Sequence, residues 1–202
     1  MTLPRLSVLA IAAVLSACGV MPKPETPTVL RLAPRFDIVA PPGGAVTVVT
    51  PVLARGVAAD RRYAYVDRGA PGEVRQAATL FWEEPPPKAV ERALVEGLRA
   101  TLGAAVGPGA SADAAQRVSA RLERFEEVTG GGAGAEAAVA LDVTVVGAAR
   151  DARLAGRYCA QAPIAADTPT DRARAFEAAL SAAVLALAHD LRSGAARPSR
   201  SC

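Results

Sequence analysis

Hydrophobic residues between positions 28 and 82 occur in short runs with the length and spacing of β-strands. Clusters of Pro and Gly at 41–44 and 68–72 separate these runs and are typical of turns. Residues 45–50 are apolar or β-branched almost throughout, as in a strand that is covered on both faces. The pattern predicts strands over 28–32, 45–50, 62–66 and 73–82, the last returning as the hairpin partner of the one before it.

Two longer segments have the hydrophobic period of an amphipathic helix. The first carries an apolar residue at every fourth position, at Val90, Leu94, Leu98 and Leu102. Prolines precede it in the first turn, where a missing N–H costs nothing, and Gly103 follows it. The second begins with a Thr-Pro capping sequence at 168–169 and stops at Gly194. The sequence predicts helices over about 86–102 and 169–192.

The segment 117–128 fits two kinds of secondary structure. Its apolar residues fit a helix, and they also fit a strand with a bulge before Phe125. We favour the strand, because the glycine-rich loop 129–134 then joins it to an evident alternating strand at 139–145. Residues 152–162 continue as the third strand of that meander.

The N-terminus has the pattern of a bacterial secretory signal. Arg5 is followed by an apolar run over 6–15, which is too short to span a bilayer. The Leu-Ser-Ala-Cys sequence at 15–18 resembles the lipobox of bacterial lipoproteins. This resemblance implies that residues 1–17 are removed by cleavage between Ala17 and Cys18, and that the Cys18 thiol carries a diacylglyceryl group. A plain signal peptide with a chance cysteine is the alternative.

The segment after the lipobox has the composition of a short tether. Residues 18–27 are rich in proline, which favours an extended spacer of ~3.1 Å per residue and ~30 Å in all. Two or three acyl chains hold a protein on a membrane essentially permanently. By resemblance to lipoproteins of diderm bacteria, Gly19 in place of Asp favours the outer membrane. We expect a domain over 28–194, anchored on the periplasmic face of that membrane, and a polar tail over 195–202.

Composition adds limits on partners and on cysteine chemistry. The formal net charge is +3, and the arginines are scattered among Asp and Glu, so the pattern does not indicate nucleic-acid binding. No second apolar run approaches transmembrane length. With Cys18 lipidated, Cys159 and Cys202 remain as a candidate disulfide in an oxidising compartment. Two unpaired thiols or an intermolecular bridge are the alternative.

Residue types that carry catalysis or bind metals occur without the partners they need. His189 is the only histidine and falls opposite the apolar stripe of the second helix, with no Cys-x-x-Cys pair in the chain. The glycines at 130–134 lack the Gly-Lys-Ser/Thr ending of a phosphate-binding loop. Ser111 and Ser119 have no nucleophile-elbow context, and Glu83-Glu84 fits a solvated pair before a proline turn. The sequence predicts no enzyme, no cofactor and no metal site.

Several segments follow the lipobox in a characteristic order. They are the strand ending at 46–51, the Tyr63/Tyr65 strand, the aromatic-acid-proline entry at 82–86, the segments 122–126 and 139–146, and the final Ala-rich helix. In this order they resemble the family of ABC-type transport auxiliary lipoproteins, which includes the lipoprotein of the paraquat-inducible transport system. The resemblance covers most of the mature chain.

The resemblance implies an α/β (α+β) two-layer domain, in which the helices 86–102 and 169–192 pack on a mostly antiparallel sheet. It also implies a non-catalytic role beside an ABC transporter permease and ATPase and a mammalian-cell-entry-domain protein, in a system that moves lipids between the inner and outer membranes. We expect docking through an exposed rim or sheet edge. Leu185 and Val146 fall off the main apolar stripes and are candidates for a second contact face or for a homo-oligomer, the alternative being that they pack against a loop.

Two other functional classes stay open at this point. One is an outer-membrane assembly or lipopolysaccharide-export scaffold lipoprotein, which would co-purify stably with a β-barrel. The other is a lipoprotein activator of a cell-wall synthase. Such activators usually cross the periplasm on a long disordered linker, and the tether of about ten residues argues against that class.

Overall fold

The structure is a computed structural model that describes residues 26–37, 45–110, 114–130, 132, 134–149 and 151–195. In chain order its elements are β1 (Thr28–Leu30), β2 (Thr47–Val49), β3 (Leu53–Ala54), β4 (Arg62–Asp67), β5 (Val74–Trp82), α1 (Pro86–Leu102), β6 (Ala105–Val106), β7 (Gln116–Thr129), β8 (Glu136–Gly147), β9 (Ala152–Pro163) and α2 (Pro169–Ser193). A 3-10 turn, Gly56–Ala59, lies between β3 and β4. The predicted helices and strands are confirmed, and the sequence did not predict the two-residue strands β3 and β6.

Strand β7 is the centre of one mixed, curled sheet. One edge of β7 pairs antiparallel with β8, which pairs antiparallel with β9. The other edge receives β2, β3 and β4 in succession, all parallel to β7. Strand β4 continues into β5 as an antiparallel hairpin, and β1 and β6 add parallel edges to β5 and β2.

The expectation of a mostly antiparallel sheet is wrong. Of the eight strand pairings in the described chain, five are parallel: β1 with β5, β2 with β6, and β7 with each of β2, β3 and β4. Strands β2, β3 and β4 precede α1 in the sequence, and β7 follows it. The chain therefore crosses over through α1 before β7 pairs with these strands in parallel. The predicted hairpin and the predicted meander are the antiparallel parts.

The bulge in β7 decides which side chains face the helices. The register with β8 shifts between Leu122 and Arg124, where the sequence predicts a bulge before Phe125. Leu122 and Phe125 are therefore both buried in the main core. The same shift places Glu127, two residues further on, towards α2. The prediction of a bulged strand over 117–128 is confirmed.

Both helices lie on one face of the sheet and have defined ends. The Oγ1 of Thr168 accepts a hydrogen bond from the backbone N–H of Asp171 (3.1 Å), which caps α2 as predicted. Gly103 follows α1 with φ of 88°, and Gly194 follows α2 with φ of 71°, a conformation that glycine adopts without strain. No helix in the described chain is long and apolar enough to span a bilayer.

The segment after β1 holds the two helices together. The backbone N–H of Ala33 donates to Glu177 Oε1 on α2 (2.8 Å). Phe36, in the segment after β1, and Val184, on α2, both pack close to Gly97 of α1. A Cβ added at Gly97 would lie 2.8 Å from the Phe36 ring and 2.5 Å from Val184 Cγ1. The described segment after β1 is therefore packed against both helices.

Four aromatic rings mark the centre of the core, where β4, β5, β7 and α2 meet. Neighbouring ring centroids are 4.6–5.7 Å apart, in tilted and edge-to-face arrangements. The four are Tyr63, Trp82, Phe125 and Phe176, and all are almost fully buried. This cluster is the rigid base on which the N-terminal half of α2 rests.

Candidate docking surface

A groove of about 460 Å³ lies between β1 and the first turns of α2. It is lined by residues 28–31 and, on α2, by Pro169, Thr170, Ala173, Arg174 and Glu177. We call it the β1–α2 groove. Within the described chain β1 pairs only with β5, so it is an edge strand, and its Val29 is 55% exposed. An edge strand with an exposed apolar side chain is suited to receive an extended segment of another protein.

A buried polar cluster fixes the α2 wall of this groove. The hydroxyl of Tyr63 on β4 donates to Glu127 Oε2 on β7 (2.6 Å). The Nε of Arg172, in the first turn of α2, donates to the same oxygen (3.0 Å), and its guanidinium also forms an ion pair with Asp167. The side chain of Glu127 is 7% exposed and that of Arg172 is 23% exposed. The cluster therefore ties two strands to the start of α2 with nearly dry charged groups.

The hydroxyls of the two buried tyrosines donate to carboxylates and stay protonated in this fold. Burial, followed by the hydrogen bond and charge of Glu127, raises the pKa of Tyr63 far above its usual value. Burial and Asp190 likewise raise the pKa of Tyr158, whose hydroxyl donates to Asp190 Oδ2 on α2 (3.0 Å). In the described chain no buried side-chain N or O lacks a hydrogen-bond partner. Through these bonds the buried carboxylates of Glu127 and Asp190 hold α2 to the sheet.

The rim of the β1–α2 groove carries charges of both signs. The guanidinium of Arg31 forms two hydrogen bonds of 2.7 Å with the carboxylate of Glu83, just after β5. The hydrogen bond from Arg31 holds the pKa of Glu83 below its usual value. Arg174 is mostly exposed, and Asp171 is 3.7 Å away. A partly apolar groove with a charged, solvent-accessible rim has the composition of a protein-protein interface.

The predicted anchor and cleavage residues, Ala17 and Cys18, lie outside the described residues and stay predictions. Cys159 lies on β9 and is disulfide-bonded. The described chain contains no second cysteine, and Cys202 also lies outside it. The pairing of Cys159 with Cys202 therefore stays a prediction as well.

The acidic residues before α1 are both accessible to solvent, and each also has an ion-pair partner. Glu83 pairs with Arg31, and Glu84 forms an ion pair with Arg92 on α1. The two carboxylates thus serve different elements. Each fixes the short connection between β5 and α1, and they do not form a joint acid pair.

Other residues singled out from the sequence are spread over the molecule. His189 is exposed on α2, as predicted, 3.4 Å from Asp190 Oδ1. Ser119 lies on β7, where its hydroxyl oxygen is 3.1 Å from that of Thr50 in a hydrogen bond, and Ser111 lies outside the described residues. Leu185 and Val146 are both half-buried. The structure does not bring these residues together.

Sequence reasoning missed the Tyr63–Glu127–Arg172 cluster. The signal was present once the bulge was placed, because Glu127 then follows Phe125 at the next core-facing position of the strand. A carboxylate on a buried face of a strand needs a hydrogen-bond or ion-pair partner. Arg172, a cationic residue in the first turn of α2, is a suitable one. The pairing itself depends on how α2 lies across β7, which the sequence pattern does not give.

Comparisons with known proteins agree with this architecture. Protein XCC0632 from Xanthomonas campestris, of family DUF330, has a TM-score of 0.69 at 17% identity, over 83% of this chain and 95% of that one. A solved structure of an uncharacterized protein has a TM-score of 0.67 at 12% identity, over 83% of this chain and 99% of that one. At such identities the likeness shows the fold alone. A search of curated proteins finds no match.

The sequence itself gives a more specific result. The model of the family described as ABC-type transport auxiliary lipoprotein component matches residues 38–189, well over half of the chain. The matched range runs from before β2 to the last turn of α2, so it includes the bulged β7, the meander and both helices. The chain therefore belongs to the family of ABC-type transport auxiliary lipoprotein components.

Proposed function

We propose that this protein is the outer-membrane-anchored, non-catalytic lipoprotein component of a mammalian-cell-entry-type ABC transporter that moves lipids between the inner and outer membranes. The observation that carries the proposal is membership of the auxiliary lipoprotein family over residues 38–189. The lipobox at 15–18 and Gly19 support the anchor and its membrane.

The proposed anchor places the domain close to the lipid surface. Thr28 follows Cys18 by ten residues, which reach ~31 Å as an extended proline-rich spacer. The segment after β1 then packs on both helices, so the described domain begins where the tether ends. The β1–α2 groove starts at the same residue. We therefore expect the groove to lie near the point where the proposed tether joins the domain.

We assign the β1–α2 groove to an extended segment of the mammalian-cell-entry-domain protein. The groove combines an edge strand, an exposed Val29 and rim charges of both signs. The groove begins where the proposed tether ends. This supports a mammalian-cell-entry-domain protein as its occupant, because that protein has to reach a lipoprotein that is confined to one leaflet. Docking there uses main-chain pairing and one apolar contact and needs no reacting group.

The transport role is tested by genetic dependence. Strains lacking this protein, lacking the transporter permease, or lacking both are compared by the lipid composition of their separated inner and outer membranes. The proposal predicts the same change in all three strains, because each loses the same pathway. An additive change in the double deletion, or no change without this protein, would contradict it.

The docking assignment is tested separately with a matched pair of variants. Val29→Glu places a charge in the groove, whereas Val74→Glu places the same charge on an exposed valine at the far end of β5. Cross-linked envelopes are assayed for capture of the mammalian-cell-entry-domain protein. We expect Val29→Glu to lose the capture and Val74→Glu to keep it, and equal capture by both would refute the assignment.

A further inference from the structure

The face of the sheet that carries no helix has a basic region with an exposed leucine. In this region β3, β7, β8 and β9 lie side by side. We propose that this region, the arginine face, rests on the anionic phospholipid headgroups of the membrane that carries the anchor. The inference rests on the lipid anchor of the proposed function. The residues that define the arginine face are Leu53, Arg55, Arg117, Arg121 and Arg157.

Leu53 on β3 is the most exposed large apolar side chain of the described chain, at 61%. Its neighbours Val52 and Ala54 both pack on the main core, so Leu53 points away from the helices. Arg55 follows in an extended conformation and therefore lies on the same side as Leu53. This segment thus presents an apolar side chain beside a cation.

Strand β7 places two further arginines on the same face. Val118 and Ala120 are buried in the main core, so Arg117 and Arg121 point to the opposite side, where both are exposed. Arg121 is in register with Leu53 of β3, which puts this cation directly beside the exposed leucine. Arg117 lies earlier on β7, at ~13 Å from Arg121 along the strand. The positive charges are therefore spread over the area around Leu53.

The charges of the arginine face do not cancel. Arg157 on β9 binds the carboxylate of Asp142 on β8 through two hydrogen bonds of 2.6 and 2.9 Å. Arg121 is matched more loosely by Glu123, at 3.8 Å. Two further arginine-carboxylate pairs near the ends of the face add no net charge. The arginines of the face that make no ion pair within the described chain are Arg55 and Arg117. The face therefore carries an excess of positive charge around an exposed apolar side chain.

An anionic lipid surface matches this combination. Arginines are held at the level of the headgroups, where each contributes roughly fivefold to binding, and an apolar side chain between them enters the interface. Contact through this face leaves both helices, and with them the α2 wall of the β1–α2 groove, turned towards the periplasm. The proposed tether of ~31 Å is long enough for the domain to turn this face to the membrane. The arginine face and the groove can then be occupied at the same time.

The membrane contact is tested with the mature chain 18–202 carrying Cys18→Ser, which has no lipid to hold it. Its co-sedimentation is measured with vesicles of phosphatidylethanolamine and phosphatidylglycerol, and with vesicles of phosphatidylcholine alone. We expect weak binding to the anionic vesicles only, and its loss at high salt, because exposed charges are then screened. No binding to the anionic vesicles, or equal binding to both kinds, would overturn the proposal. The assay contains no transporter, so this failure is distinct from a failure of the transport role.

The location of the contact is tested with matched arginine variants of the same chain. Arg117→Gln removes an unpaired cation from the arginine face. Arg35→Gln removes an exposed arginine that also makes no ion pair within the described chain, from the segment packed on the helices. We expect Arg117→Gln to weaken binding to the anionic vesicles on the order of fivefold and Arg35→Gln to leave it unchanged. Equal weakening by both variants, or by neither, would overturn the assignment of this face.

The apolar contact is tested with a tryptophan reporter. Leu53→Trp and His189→Trp place the same ring at exposed positions on the arginine face and on α2, and the buried Trp82 adds the same background to both. Unchanged unfolding midpoints in urea show that both variants are folded. With anionic vesicles we expect the emission of Leu53→Trp to shift to shorter wavelength, because the ring enters the interface, and that of His189→Trp to stay constant. A shift in His189→Trp, or no shift in Leu53→Trp while the vesicles are bound, would refute the orientation.

Discussion

The Tyr63–Glu127–Arg172 cluster gives the sharpest prediction for stability. Glu127→Gln keeps the shape of the side chain and removes its charge. Both hydrogen bonds to Oε2 are charge-assisted, and such bonds are worth ~1.5–3 kcal/mol against ~1 kcal/mol for neutral ones. The change therefore removes ~1 kcal/mol per bond. Because Arg172 is partly exposed and keeps Asp167, we expect a total loss of ~1–2 kcal/mol.

A larger truncation at the same position should cost more. Glu127→Ala leaves the buried hydroxyl of Tyr63 without its acceptor and the guanidinium of Arg172 without its buried partner, for which we expect a loss of ~3–5 kcal/mol. The matched control is Glu126→Gln, on the opposite face of β7. That carboxylate pairs with the half-exposed Arg124, so its loss should stay below ~1 kcal/mol.

The measurement is urea unfolding of the mature chain without its lipid anchor. Trp82 is the only tryptophan and lies inside the aromatic cluster, so its fluorescence reports directly on this part of the core. The denaturant slope should be unchanged, which shows that the variants alter stability and not the compactness of either state. If Glu127→Gln shifts the transition no more than Glu126→Gln, the cluster does not hold α2 to the sheet and the reasoning fails.

Three further predictions concern helix packing, pH and the anchor. Gly97→Ala should lower the free energy of unfolding by ~1–3 kcal/mol, because the new Cβ would lie 2.5 Å from Val184 Cγ1. The control Gly107→Ala, whose new Cβ has one contact at 3.8 Å, should leave the free energy of unfolding unchanged. Equal unfolding midpoints of the two variants would contradict this. Because the folded-state pKa of Tyr63 is raised, its contribution to stability is complete below about pH 10 and is lost as pH rises above that. In urea titrations above about pH 10, the free energy of unfolding of Tyr63→Phe should fall less steeply with pH than that of the wild type. The same dependence on pH in both proteins would count against this prediction. Cys18→Ser should release the protein from membranes, and retention after a salt wash would exclude the lipid anchor.

Local patterns predicted the elements of this fold well, because each has a strong signal of its own. The period of four in α1, the Thr168 cap of α2 and the alternation in β8 depend only on near neighbours in the chain. The bulge before Phe125 was also visible, since the apolar spacing changes phase there. Hairpin and meander pairings followed because short turns force neighbouring strands to be antiparallel.

The parallel part of the sheet was not predictable in the same way. Strands β2, β3 and β6 have only two or three residues, and their place beside β7 or each other is set by how α1 packs. The same holds for the candidate docking surface. The β1–α2 groove and the Glu127–Arg172 pair both join segments that are more than 40 residues apart in the chain, so no local spacing reveals them.

The transport role is tested most directly by capturing partners of the full-length, lipidated protein from cross-linked, detergent-solubilised envelopes, with identification by mass spectrometry. The family membership and the proposed anchor predict recovery of a mammalian-cell-entry-domain protein together with its ABC permease or ATPase. The Cys18→Ser variant should recover them poorly, because it is no longer confined to the membrane. Recovery of a β-barrel or a cell-wall synthase, with no transporter component, would contradict the proposed function.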